Sequence, residues 1–316
     1  MPDHVLTEEP LQFGEGGRLF GILTLPSMPL RNAQELPVFV ILSAGLLHRV
    51  GPRRLHVRLA RELAQMGFSS LRVDLAGTGD SPPRPGLTYQ QSVTADFAEI
   101  LGVLESRLGR LPLVLAGLCS GANNAMRLTL KEPRVVGMVL LDPICFPDDG
   151  FRARTVVMKY ANPAEYIAWL KRGEYIAWLK RRFKALTRPR GEKQEDDSSA
   201  DALTLQDLPT LEQLRAAFES IREREGRVLS IFTRAALQYY NQAGQLGRIL
   251  GVDGYQQFCT ELFWPQVHHT YMLELHRRRL IGVIKIWAGD YIRPRESTPT
   301  IDGSPGRVLD SRRVES

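Results

Sequence analysis

Residues 111–128 read LPLVLAGLCSGANNAMRL, an apolar run that passes through Gly117-Leu118-Cys119-Ser120-Gly121 directly into helix-forming sequence. A strand entering a helix through Gly-x-Cys-x-Gly holds its central side chain on a sharp turn above a sheet. Glycines two residues before and two after let the neighbouring backbone approach without a Cβ clash. Cys119 is thereby placed at a helix N-terminus, where the peptide dipoles favour an anion and a thiolate is the reactive form. The plainer reading is a buried structural cysteine at an ordinary strand-to-helix turn; the position on the third parallel-type strand favours a nucleophile. Ser120 competes for that part, but its flanks at two residues' distance are Leu118 and Ala122. It is assigned a backbone role, its N–H lying where an oxyanion needs a donor.

Outward from this stretch, strand and helix signals alternate. Leu11 to Leu25 surround Gly14, Gly16 and Gly17 and read as an opening hairpin at the antiparallel edge of a sheet. Pro37–Leu42 (PVFVIL) and Ser69–Leu75 read as strands buried on both faces. Between them, from about Arg54 to Met66, Leu55, Leu59, Leu63 and Met66 share one helical face. A helix from about Tyr89 to Leu108, the strand Leu111–Ala116, a helix after Ser120 and the strand Val135–Leu141 follow. This order predicts an α/β fold, a mostly parallel central sheet with helices on both faces.

From 151 to 226 the strand rhythm stops and helical sequence dominates, predicting a lid inserted between a first core part, 1–150, and a second, 227–289. Within it RPRGEKQEDDSSAD, 188–201, is too polar to bury an apolar face and is expected to be disordered, as is the tail 290–316. The second part begins with the strand Arg227–Thr233, followed by a helix near Gln242–Leu250, an apolar stretch Gln257–Trp264 and a helix from about Tyr271 to Trp287. EYIAWLKR occurs twice, at 165–172 and 174–181, offset by nine residues. At about 100° per residue this turns the second copy by roughly 180°. Either Gly173 kinks the segment, or Trp169 and Trp178 face different partners.

Three stretches resemble the α/β-hydrolase superfamily, and within it the serine-aminopeptidase-like group that includes exosortase-associated hydrolases: AGLLHRVGPRR (44–54), LARELAQMGFSSLRVDLAGTGDSP (59–82) and AGLCSGANNA (116–125). The resemblance covers residues 37 to about 145 and is weaker beyond. It implies a second oxyanion donor, the N–H of Leu46 after Gly45. It also implies that Arg72–Ser81 is a structural turn beside the elbow, so that Asp74 and Asp80 hold loops. The family usually carries serine where Cys119 stands; dienelactone hydrolases and polyhydroxyalkanoate synthases resemble this site in using cysteine there.

The family's chain order, nucleophile, acid, histidine, directs attention past the lid, where His268, His269 and His276 remain. His269, between an apolar strand and the final helix, is the expected base; His268 is its surface neighbour, and His48 is a loop residue near the pocket. The acid is harder to place. After Ile231-Phe232-Thr233 comes Arg234-Ala235-Ala236-Leu237-Gln238, with no carboxylate. Asp142, ending VLLDP, is one candidate; Gln238 or Asn241 could orient the histidine through an amide; or the triad is incomplete.

Composition narrows the function class. No run approaches the roughly 20 apolar residues of a membrane span, and the start MPDHVLTEEP lacks a signal pattern. Three scattered cysteines suit a reducing compartment, with the cytoplasm as the default. The net charge of +6 derives mainly from stretches such as RRFKALTRPR and ELHRRRL, without an aromatic-interleaved nucleic-acid motif. No metal-ligand spacing and no dinucleotide fingerprint occur, so neither metal nor cofactor is expected. The expectation is a hydrolase of esters or thioesters with an apolar or amphipathic acyl substrate. An acyltransferase using the same cysteine, or a catalytically weak binding protein, are the alternatives.

Overall fold

A single strand of the described sheet runs against the other seven. The computed structural model describes residues 6–27, 36–45, 47–161 and 208–292. Among them β1 (Thr7–Phe13) and β2 (Leu19–Leu25) form the expected hairpin, and β2 pairs antiparallel with β4 (Ser70–Asp74). The strands β3 (Val38–Leu42), β4, β5 (Leu113–Leu118), β6 (Val135–Leu141), β7 (Arg227–Thr233) and β8 (Cys259–Trp264) are mutually parallel, giving the order β1-β2-β4-β3-β5-β6-β7-β8. The fold is an α/β-hydrolase sheet. Its parallel strands all end on one edge, where loops collect and ligands bind in such sheets.

Strands buried on both faces need helices on both. One face carries α1 (Leu55–Gln65) and, late in the chain, α8 (Glu274–Gly289); Leu59, Leu63, Ile284 and Trp287 pack there on Phe39, Ile41, Leu229 and Ile231. The other carries α2 (Tyr89–Leu108), α3 (Ser120–Thr129) and α5 (Leu211–Glu223), whose Phe97, Ala125, Met126 and Phe218 cover Val40, Leu115, Met138 and Val228. Thr88 caps α2, accepting from the Gln91 N–H while the Gln91 side chain accepts from the Thr88 N–H, and Thr210 and Gln213 do the same for α5. The Arg224 guanidinium, just past α5, donates to the carbonyls of Thr129, Glu132 and Val135, tying down the end of α3.

Of the expected lid, α4 (Phe151–Ala161) and α5 are described; the EYIAWLKR repeat, 188–201 and the tail beyond 292 lie outside the described residues. Short helices α6 (Gln245–Leu250) and α7 (Tyr255–Phe258) precede β8. Two boundaries move. β5 starts two residues later than expected and runs to Leu118, because Pro112 lacks an N–H and joins the ladder only through its carbonyl, which accepts from Val38. The last helix starts at Glu274 rather than near Tyr271, whose φ of +49° is incompatible with a right-handed helix. No helix among the described residues is long and apolar enough to cross a membrane.

Candidate active site

β5 stops at Leu118 and α3 starts at Ser120, leaving Cys119 alone on the turn with φ +55° and ψ −115°. A non-glycine residue pays for that geometry with strain. The two glycines make it sterically attainable: a Cβ on Gly117 would lie 2.2 Å from the carbonyl carbon of Gly121, and one on Gly121 would lie 2.7 Å from the carbonyl oxygen of Leu42. The Cys119 N–H still donates to the Leu141 carbonyl at 2.8 Å, so the turn remains fastened to β6. Cys119 is partly exposed; Cys145 and Cys259 are buried, and burial pushes both thiols well above their ordinary range. Ser120 is buried, and its Oγ accepts the N–H of Gly45 at 2.6 Å, fastening the loop after β3 to the elbow. As the first residue of α3 it also has one of the N–H groups that a helix cannot satisfy internally.

Asp142, the residue after β6, is the carboxylate that meets His269. His269 Nδ1 lies 2.6 Å from Asp142 Oδ2. The carboxylate is buried and itself left-handed, with φ +48°. Its Oδ1 accepts the Thr233 N–H at 2.5 Å and its Oδ2 the Thr233 hydroxyl at 2.6 Å. Burial opposes a charge on His269, but hydrogen bonds to Asp142 and Cys119, with their negative charges, outweigh it and raise its pKa to about 10. Imidazole and carboxylate thus pair across the ends of β6 and β8, with the Cys119 thiol near enough at the end of β5 to act on the same ring. Tyr271 lies beside it, its buried hydroxyl without a hydrogen-bond partner; burial first, and the Asp142 charge second, push its pKa up.

The other candidates lie elsewhere. His268 Nδ1 pairs with Thr270 Oγ1 at 3.0 Å. Gln238 donates to the carbonyl of Ala235, and Asn241 binds the Phe151 carbonyl, Thr155 and Arg154; these bonds tie down a 3-10 turn and α4, so neither amide is the histidine's orienter. Leu46 lies outside the described residues. Thr233 is the site residue that the sequence reading passed over. Its one available signal was position, at the end of β7 where the acid was sought.

A second charged cluster lies at the end of β4. His48, Asp74 and Asp80 offer atoms within 4.8 Å of one another, a spacing that could suit a metal. The Arg49 guanidinium already lies among them: it bonds Asp74, and it reaches Asp80 at 2.7 Å and His48 Nε2 at 2.8 Å. Asp74 also accepts the backbone N–H groups of Arg49 and Asp80. The cluster clamps the loop after β3.

This strand order corresponds to known proteins. Residues 40–226 match the family described as serine aminopeptidase, S33. The chain belongs to that family of α/β-hydrolases. It is a hydrolase of the α/β type. Among solved structures it is similar to a thermostable carboxyl esterase from Bacillus coagulans (TM-score 0.58, 11% identity, covering 92% of this chain and 99% of that one). An esterase from Pyrococcus furiosus (TM-score 0.53, 12% identity, 92% of each chain) and a proline iminopeptidase from Mycobacterium smegmatis (TM-score 0.53, 13% identity, 90% and 98%) share the fold as well.

Proposed function

We propose that the protein hydrolyses a carboxylic ester or thioester through an acyl-enzyme on Cys119, with His269 as proton carrier and Asp142 as its orienter. The observation that carries this reading is the 2.6 Å bond from His269 to Asp142, in an imidazole close enough to Cys119 for the thiol to help raise its pKa.

With a pKa raised to about 10, His269 holds a proton at neutral pH, and the thiolate is the form of a cysteine that attacks. The sulfur attacks the acyl carbon; the carbonyl π pair moves to oxygen, where the N–H groups of Ser120 and Leu46 are the proposed donors. The Leu46 part rests on resemblance alone. As the tetrahedral intermediate collapses, the bond to the leaving alcohol or thiol breaks and His269 gives that group its proton. The acylated sulfur no longer carries the charge that helped to hold the imidazolium. Burial then lowers the His269 pKa, and the neutral ring can take a proton from water as it attacks the thioester. The acid is released and the thiol restored.

An apolar acyl group is favoured by the side chains exposed at this edge: Leu47 in the loop after β3, and Met272 and Leu273 after β8, are 39%, 46% and 60% exposed. The inserted region 151–226 is proposed to select the acyl chain. The inert binding-protein reading leaned on an absent acid, and Asp142 beside His269 takes that support away.

Intact mass after brief exposure to p-nitrophenyl butyrate tests the proposal. The expected result is a butyryl adduct that is absent in Cys119→Ala, survives Ser120→Ala, and decays with water. An adduct that persists without Cys119, or neither adduct nor turnover across a broad panel of acyl esters and thioesters, overturns it. Decay that depends on an added alcohol or amine assigns acyl transfer instead.

A further inference from the structure

Thr233 stands at the end of β7, the strand after which a carboxylate was sought in vain, while the carboxylate that meets His269 comes from β6. The two strands pair in register, Leu141 opposite Ile231, so Asp142 comes level with Phe232 and its carboxylate reaches the next residue, Thr233, the last of β7. Three donors converge on the Asp142 carboxylate, and two of them belong to Thr233: its N–H on Oδ1 at 2.5 Å and its hydroxyl on Oδ2 at 2.6 Å. The third is His269. A carboxylate rotates about its terminal torsion in a broad, two-fold well. One donor on each oxygen removes that rotation, and the remaining Oδ2 lone pair is left aimed at the imidazole.

We infer that Thr233 is a positioning residue of the site, its hydroxyl fixing the Asp142 carboxylate so that an acid supplied from β6 points at His269. The inference rests on the proposed acyl-enzyme reading for its kinetic consequence, but the alignment it describes exists in the resting protein. The chemistry of the contact is one-directional. An ionised carboxylate only accepts, so the hydroxyl proton of Thr233 is committed to Asp142, and the hydroxyl oxygen is left to accept the N–H of Ala235 at 3.4 Å. Thr233 is fully buried, so water does not replace the lost donor.

Thr233→Val keeps the shape and the backbone N–H and deletes the hydroxyl; Thr233→Ser keeps the hydroxyl and deletes the methyl. A hydrogen bond to a charged group is the kind whose loss lowers kcat by about 10- to 100-fold, and the expected change in Thr233→Val is a fall of that size with KM nearly unchanged. Thr233→Ser should restore most of kcat even where its melting temperature is no higher than that of the valine variant, an order that a packing role cannot produce. The second readout needs no substrate: the far-downfield proton resonance of the His269 Nδ1–H facing Asp142, identified by its loss in His269→Gln, should shift or broaden in Thr233→Val and persist in Thr233→Ser. Wild-type kcat and an unshifted resonance in Thr233→Val overturn the inference. So does a serine variant as slow as the valine one. If the wild type turns over no acyl substrate, the proposed hydrolysis fails, while the resonance still decides the part of Thr233.

Discussion

Asp74 and Asp142 are two solutions to the same problem. Each is a buried carboxylate at the C-terminal end of a parallel strand: Asp74 accepts two backbone N–H groups and bonds the Arg49 side chain, and Asp142 accepts one backbone N–H and one hydroxyl, both from Thr233, and meets the His269 ring. Arg49 keeps its charge throughout the range in which proteins are folded. His269 spends one ring nitrogen on the carboxylate and has another for a proton. The first arrangement is a clamp, the second the proposed relay. The sheet presents both along one edge, and the partner decides which of them can do chemistry.

Exchanging the carboxylates should separate the two. Asp142→Asn should lower kcat by about 10²- to 10⁴-fold, since the amide can hold the imidazole in the wrong tautomer. A circular dichroism melt should show the variant still folded, and an unimpaired rate would place the relay elsewhere. Asp74→Ala should act the other way round. It leaves Arg49 with Asp80 alone and deprives two backbone N–H groups of their acceptor; removing one partner of a buried pair costs about 3 kcal/mol, read as a lower urea midpoint at an unchanged slope. An Asp74→Ala protein as stable as the wild type would mean that the clamp holds nothing.

Acidity sharpens the contrast through two histidines displaced in opposite directions. His269, raised from 6.5 to about 10, binds its proton more tightly in the folded protein. The stability it contributes is fully present below about 6.5 and is lost as pH rises toward 10. The wild type should therefore lose its melting-temperature advantage over His269→Gln on titration from neutrality through about pH 10. His56 lies fully buried under the loop that Arg49 fastens; burial, and next the charge of Arg72, lower its pKa to about 4. The folded state refuses a proton there that the unfolded chain accepts, so stability should fall as pH drops from about 6.5 toward 4. His56→Leu should flatten that fall by about 3 kcal/mol. An acid limb identical in both proteins would contradict the assignment.

How far each feature could be read from sequence follows from how local its cause is. Cys119 was legible because glycines two residues away make its turn attainable, and His269 because only a few histidines follow the inserted region. Asp142 was legible as a candidate but not as a choice. Its meeting with His269 spans 127 residues and depends on β6 and β7 lying in register, which no short window contains. Thr233 was invisible for the same reason: a threonine ending an apolar strand looks like any other until the neighbouring strand supplies a carboxylate. The start of the last helix was misplaced because the apolar pattern continues through Tyr271, and only its left-handed backbone reveals that the chain is still turning.

The pairing of β6 with β7 joins the two sides of the inserted region without a covalent bond between neighbouring strands. The thiol and the carboxylate belong to the sequence before that region, the threonine and the imidazole to the sequence after it. Neither stretch owns all the residues of the proposed reaction centre, so turnover should report whether the seam between them has closed. Encoded as two polypeptides broken between residues 161 and 208, the protein should behave as a split enzyme: each piece silent by itself, the pair active only once the sheet has zipped together.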